Sequence, residues 1–296
     1  VRFPREIRAM LKFLSKISSQ LAFRLPGLIL VFTLAGCNQG YETQTTRGEY
    51  VKEWFLPLNG GKIEALAIWP PGIKPRPALL LIHEGKSRAH RFRRTMFRLA
   101  GMGLTTMSIS LPGFGNSTGP EDFAGPRSVK AVLAAVKYLA TRKDICQNCI
   151  GIYGIGQGAT TALLASIRSR NIHLTALENG LYGLDKAYLS LPSTFRERLL
   201  SLLGGNPRKN PRAYRARSPI HEAGKIQGPV LIIHSKESKK FPISEAKKLA
   251  DSLKKEDLPH RFVISRGRLP EFNRGHSSIR KWVVPFIQTH LRLKSL

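Results

Sequence analysis

An α/β fold, built on a mainly parallel sheet with helices on both faces, is what this sequence predicts, and three observations predict it. Continuous apolar runs of strand length recur at 78–83, 150–155 and 230–234, and a strand apolar at consecutive positions is one buried on both faces. Segments with helical apolar spacing separate these runs. The alternation continues in one series from residue 49 to 296 with no internal repeat and no long linker, so a single domain, 49–296, suffices.

The first forty residues stand apart from that series. Arg2, Arg5, Arg8, Lys12, Lys16 and Arg24 against a lone Glu6 make a basic segment, and Leu25 to Gly36 is a twelve-residue, mostly apolar run. That run is too short to span a bilayer. A basic stretch, a short apolar stretch and small residues in succession describe a secretory signal. Leu34-Ala35-Gly36-Cys37 resembles the lipobox of bacterial lipoproteins. The resemblance implies that residues 1–36 are a signal peptide, that Cys37 carries the lipid, and that 37–48 is a short tether. Asn38 after the cysteine implies, by the sorting of enterobacteria-like cells, the periplasmic side of an outer membrane.

Beyond the tether, Tyr50–Leu58 and Lys62–Trp69 read as a hairpin around Asn59-Gly60-Gly61, since Asn-Gly supplies the positive φ of a tight turn. Ala78–His83 is a buried strand. A helix over Arg91–Gly101, a strand over Thr105–Leu111 and a helix over Ser128–Arg142 follow, the last begun by Pro126. Ile150–Ile155 is a second buried strand and Gln157–Ser169 an Ala- and Leu-rich helix. After a less regular stretch, 184–225, come a strand at Val230–His234, a helix at Ser244–Lys255, a strand at Arg261–Ser265 and a closing helix at Ser278–Arg292.

Composition narrows the function classes. A hydrophobic share of 42% excludes low-complexity disorder, and three cysteines exclude a disulfide scaffold. Lys and Arg number 48 against 19 Asp and Glu, a net charge of +29, which favours anionic partners. Six basic residues and one acidic residue precede Cys37, leaving +24 on the remaining 260. The surplus therefore belongs to the folded part. Outside the cytoplasm nucleic acid is not an expected partner; an anionic lipid or glycan is. Cys146 and Cys149 form one C-x-x-C pair with no second pair to complete a zinc site and no thioredoxin-like context. In an oxidising compartment they are expected to form a local disulfide. No metal-ligand spacing and no cofactor motif is present in the sequence, so neither group is expected.

In a parallel sheet the loops leaving the carboxyl ends of the strands converge on the ligand site. One of them reads Gly154-Ile155-Gly156-Gln157-Gly158, with the spacing and the strand-to-helix context of the G-x-S-x-G nucleophile elbow. Its centre is Gly. Here the chain resembles the α/β-hydrolase superfamily, nearest its prolyl-oligopeptidase and dienelactone-hydrolase-like branch. Leu79–His83, Leu111-Pro112-Gly113-Phe114-Gly115-Asn116-Ser117, Gly151–Gly154, Tyr214–Ile220, Pro229–His234 and Gly275-His276 support the likeness over about residues 50–296.

The resemblance implies an eight-stranded sheet and a nucleophile, an acid and a histidine at fixed places. The nucleophile position is Gly156, the acid position is Ser238, and the histidine position is His276. Glu237 stands beside the acid position as a stand-in. The oxyanion region corresponds to His83, Glu84 and Gln157, and Glu84 brings a carboxylate where developing negative charge needs donors. A second formal match, Gly115-Asn116-Ser117-Thr118-Gly119, lacks the strand-turn-helix that would activate Ser117. The rim is also basic, with eleven cations in the thirty residues of 84–94, 235–241 and 265–276; Lys86, Arg88, Arg91, Lys239 and Arg268 are the anion-binding candidates. The expectation is a lipid-anchored α/β-hydrolase-fold protein without serine-hydrolase activity that binds an anionic ligand. The alternative is an atypical hydrolase of small esters or peptides in which His276, with Glu237, activates water.

Overall fold

Runs rich in Leu and Ile at 79–82, 150–155 and 230–234 build the centre of the sheet because nearly all of their side chains are apolar and both faces can be buried. The computed structural model describes residues 40–72, 75–238, 240–266 and 278–291, and the backbone alone of 22–25 and 28–31. The strands are β1 (Ala22–Leu25), β2 (Leu28–Val31), β3 (Tyr41–Thr45), β4 (Tyr50–Leu58), β5 (Gly61–Trp69), β6 (Arg76–Ile82), β7 (Thr105–Ile109), β8 (Ile145–Ile155), β9 (Leu174–Glu178), β10 (Val230–Ser235) and β11 (His260–Ser265). They form one sheet in the order β1-β2-β3-β4-β5-β7-β6-β8-β9-β10-β11. From β7 to β11 in that order every pairing is parallel, and β1 to β5 add an antiparallel wing.

Alternation along the strands divides the core in two. Leu80, Ile82, Ile152 and Ile232 face α2 (Pro126–Ala140), α3 (Gln157–Arg168) and α5 (Ile243–Lys255). Leu79, Leu81, Tyr153, Leu231 and Ile233 face α1 (Arg93–Gly101) and α6 (Val284–His290). Among the described residues no helix is long and apolar enough to cross a membrane.

The strands placed from the sequence are β4 to β8, β10 and β11, the sheet has eleven strands where the resemblance implied eight, and four details differ from the sequence reading. Tyr41–Thr45, within the expected tether, pairs antiparallel with β4, and its central Thr43 is buried. Leu174–Glu178 is a fully buried strand that no periodicity marks, because Leu, Ala and Glu are helix formers and five residues are too few to show a period. β8 begins at Ile145, ahead of its apolar run, and its register against β6 shifts between Arg76 and Ala78. The bulge so formed contains Cys146 and Cys149, joined as a disulfide, with Asn148 at φ 57°. Finally, the irregular stretch contains α4 (Ser193–Leu203), whose Phe195, Leu199 and Leu203 build a third apolar cluster with Phe123, Tyr214 and Phe241. Arg217 ties this cap down, donating to the carbonyls of Asp122 and Phe123 at 2.9 and 3.1 Å and of Ala213 at 2.8 Å.

Candidate functional site

Between the last residue of β8 and the first of α3 stands Gly156, at φ 56° and ψ −117°. A residue with a side chain holds that backbone only under strain. The turn is fixed from both sides: the Gly156 N–H donates to the Glu178 carbonyl at 2.8 Å, and the Gly156 carbonyl accepts from Ala159 N–H at 3.1 Å. Its two flanking glycines are required by packing. A Cβ at Gly154 would run into the Gly158 backbone, and one at Gly158 into the carbonyls of Ile82 and His83. At Gly156 a Cβ would meet nothing nearer than Glu84 Cβ at 3.4 Å and Phe241 Cε2 at 3.9 Å. The space for a Cβ is therefore present, and the Cβ is not.

The surroundings of this turn come from three loops. His83 ends the β6 run and is fully buried. Its Nδ1–H donates to the Glu84 carbonyl at 2.6 Å and its Nε2 accepts from Leu111 N–H at 2.9 Å, which fixes the tautomer. Burial pushes its pKa down to about 4, so the ring is neutral. Both nitrogens are thus used by backbone, and His83 supplies position to the oxyanion region rather than a donor. Glu84 is buried against the elbow. Gln157 is buried as well, and among the described residues neither amide atom has a hydrogen-bond partner. A Cβ on Gly85 would lie 3.2 Å from Gln157 Oε1 and 3.6 Å from the guanidinium of Arg198, which is ion-paired to Glu121. Over the turn sit Phe123, Phe195 and Phe241, with ring centroids 5.1, 5.4 and 6.4 Å apart.

The acid position serves the turn after β10. Ser238 N–H donates to the Ser235 carbonyl at 3.2 Å, and its Oγ accepts from Phe241 N–H at 3.5 Å. Glu237 is exposed, its N–H donating to Ser235 Oγ at 3.1 Å. His276, Lys239, Arg268 and Cys37 lie outside the described residues. Ser278, two positions past His276, donates to Glu178, which also accepts from Tyr153 Oη. Burial raises the pKa of Glu178, the two hydroxyls opposing it. Sequence reasoning misses this buried acid at the end of β9, as it misses Arg198 and Phe241, because only tertiary packing brings them to the elbow.

Three of the five candidate cations share a cleft. Lys86, Ser87, Arg88, His90 and Arg91, from the loop after β6, face Gly113, Phe114 and Gly115, from the loop after β7, across a volume of about 590 Å³. Ser110 clamps the two loops, accepting from Ala89 N–H at 2.9 Å and donating to Glu64. Ser117, of the second formal match, donates to the Ser110 carbonyl at 2.6 Å and accepts from Glu64 N–H at 2.9 Å, so it belongs to the same scaffold. Burial pushes the Glu64 carboxyl up, but hydrogen bonds from Ser110 and Asn116 outweigh it and hold the group below the usual carboxylate range.

Comparison with known proteins agrees with this architecture. The family model described as "Prolyl oligopeptidase family" matches residues 122–281. The uncharacterized peptidase YtmA of Bacillus subtilis (strain 168) is 26% identical over 166 residues, 55% of this chain and 63% of that protein. Among solved structures, the acetyl xylan esterase from Paenibacillus sp. R4 superposes with a TM-score of 0.68 at 16% identity, over 86% of this chain and 88% of that one. The acylaminoacyl peptidase of Pyrococcus horikoshii gives 0.67 at 18% identity, over 91% of this chain and 50% of that one. The chain thus spans less than two thirds of YtmA and half of the acylaminoacyl peptidase.

Proposed function

Since the chain belongs to the prolyl oligopeptidase family, we propose that it is a noncatalytic, membrane-tethered version of that hydrolase scaffold, given over to holding an anionic ligand. The observation that carries this reading is the elbow itself. Its backbone, its two packing glycines and the room for a Cβ are all present around a residue with no nucleophile. Removing the serine of a serine hydrolase lowers turnover by roughly 10⁶, about 8 kcal/mol of barrier. Nothing at the neighbouring positions compensates: Ser238 is tied into its own turn, Glu237 is exposed, and Glu84 adds a carboxyl where an oxyanion would form. Tethering rests on the lipobox at 34–37, with lipid on Cys37 and the domain on the periplasmic face of an outer membrane.

Fluorophosphonate labelling beside a panel of activated esters tests the catalytic half. Neither labelling nor hydrolysis above background is expected. Turnover abolished by His276→Ala would establish the atypical hydrolase instead, and stoichiometric labelling would reveal an activated protein hydroxyl and overturn the noncatalytic reading. For the tether, Cys37→Ala is expected to move the protein from the membrane fraction to the soluble one, because multiple acyl chains anchor stably; a variant that stays in the membrane fraction at unchanged size refutes it.

A further inference from the structure

We propose that the cleft between the loops after β6 and β7 binds a small phosphomonoester, its phosphate on Lys86 and Arg88 and its organic part along Phe114. The inference deepens the noncatalytic, ligand-holding reading and rests on it for the cleft's purpose. Its geometry stands on separate observations. At about 590 Å³ the cleft lies within the range of small-molecule sites. One wall gives three cations and the Ser87 hydroxyl within six residues, and the opposite wall is two glycines and an aromatic ring. Phe114 is half-buried and fixed edge-on to His83 at 5.4 Å.

Among the described residues neither Lys86 nor Arg88 takes part in an ion pair. Glu53 is ion-paired with Arg93 and with His90 at 2.9 Å, Glu121 with Arg198, and Glu64 accepts from Ser110 and from Asn116 Nδ2 at 2.6 Å. The walls are also held before any ligand arrives. Lys86 stands at φ 60°, Arg91 N–H donates to the Arg88 carbonyl at 3.0 Å, and Ser110 clamps one loop to the other. A pre-ordered wall avoids the entropic cost of ordering it on binding.

Stoichiometry of charge selects the ligand. A carboxylate offers one charge and two oxygens. A phosphomonoester offers close to two charges and three acceptor oxygens, which matches the Arg88 guanidinium fork and the Lys86 ammonium. The same group occurs on soluble phosphorylated sugars and on phosphatidic acid, so the experiment includes both sources.

Calorimetric titration of the full chain with inorganic phosphate, glucose 6-phosphate and glucose, beside flotation with phosphatidylcholine vesicles containing phosphatidic acid, is the test. Glucose 6-phosphate is expected to bind more tightly than phosphate, glucose not at all, with affinity falling steeply as salt rises. Lys86→Glu with Arg88→Glu is expected to weaken binding about 30-fold or more, and Lys247→Glu with Lys254→Glu on α5 less than about 2-fold. Lys86→Gln with Arg88→Gln, checked for an unchanged melting temperature, guards against misfolding and is expected to weaken binding in the same sense. Binding confined to the vesicles and lost in the same variants assigns the lipid as the source and upholds the site. Equal losses from both pairs of reversals, vesicle binding indifferent to them, or no binding of any probe overturns it. Fluorophosphonate labelling of the same preparation reports separately on the noncatalytic reading.

Discussion

At Gly156 two demands that a serine hydrolase meets with one residue come apart: the backbone turn is kept, and the nucleophile is not. Gly156→Ser is therefore expected to fold, because its Cβ finds ordinary contacts at 3.4 and 3.9 Å. It is also expected to lose about 1–3 kcal/mol in denaturant melts to backbone strain, without gaining esterase activity. Gly158→Ala should cost more, since its Cβ meets fixed carbonyls; equal costs would contradict this division of roles. His83 makes a second prediction. Neutral in the fold with a pKa of about 4, it protonates first in the unfolded chain, near pH 6.5. Its contribution is whole above pH 6.5 and falls by roughly 3 kcal/mol as pH drops to about 4. His234, lowered by burial, acts with the same sign, and Glu178, raised by burial, with the opposite one. Between pH 7 and 4.5 the wild type should therefore lose more stability than His83→Gln, measured by urea midpoints; parallel losses would show that His83 does not titrate in this window.

Elements show where the sequence is readable and where it is not. The disulfide in the β8 bulge closes a four-residue loop, so its reduction should cost only about 2 kcal/mol on the loop-entropy argument. Thiol titration of the unreduced protein should find neither Cys146 nor Cys149 reactive; two free thiols there would reopen a redox or metal role. Arg217→Ala should be more damaging than its position in a short turn suggests. It removes hydrogen bonds to three carbonyls, those of Asp122, Phe123 and Ala213, and leaves the cap held to residue 123 by the Phe123 ring packing alone, a loss of about 2–4 kcal/mol. Strands with unbroken Leu and Ile, such as β6 and β10, were legible because burial on both faces demands that composition. β9 was not, since its five residues read as helix and only its neighbours β8 and β10 make it a strand. α4 likewise carries no signal for its role: Phe195 and Arg198 acquire their meaning from Phe241 and Glu121, distant in sequence.

For the whole molecule, the strand-to-helix glycine pattern and the apolar runs led to the α/β-hydrolase fold, and the same residues put a glycine at the centre of the elbow. Which cations meet was not legible. Lys86, Arg88 and Arg91 share a cleft because Ser110 and Glu64 clamp two loops, and no spacing in the chain announces that. Phe241 links the fold's stability to the elbow: truncation to Ala should cost about 3–5 kcal/mol and open a cavity beside Gly156, and a melt unchanged by it would mean the cluster is not packed as described. The separation of turn from nucleophile at Gly156 also sets the mutational distance back to an enzyme. A glycine codon reaches serine by one base change from two of its four forms, but a serine codon reaches aspartate only by two. The first step lowers stability without any catalytic return while residue 238 remains Ser, so drift toward activity starts downhill in fitness. On the noncatalytic reading proposed above, the elbow acts as a ratchet, its backbone strain opposing a return to serine.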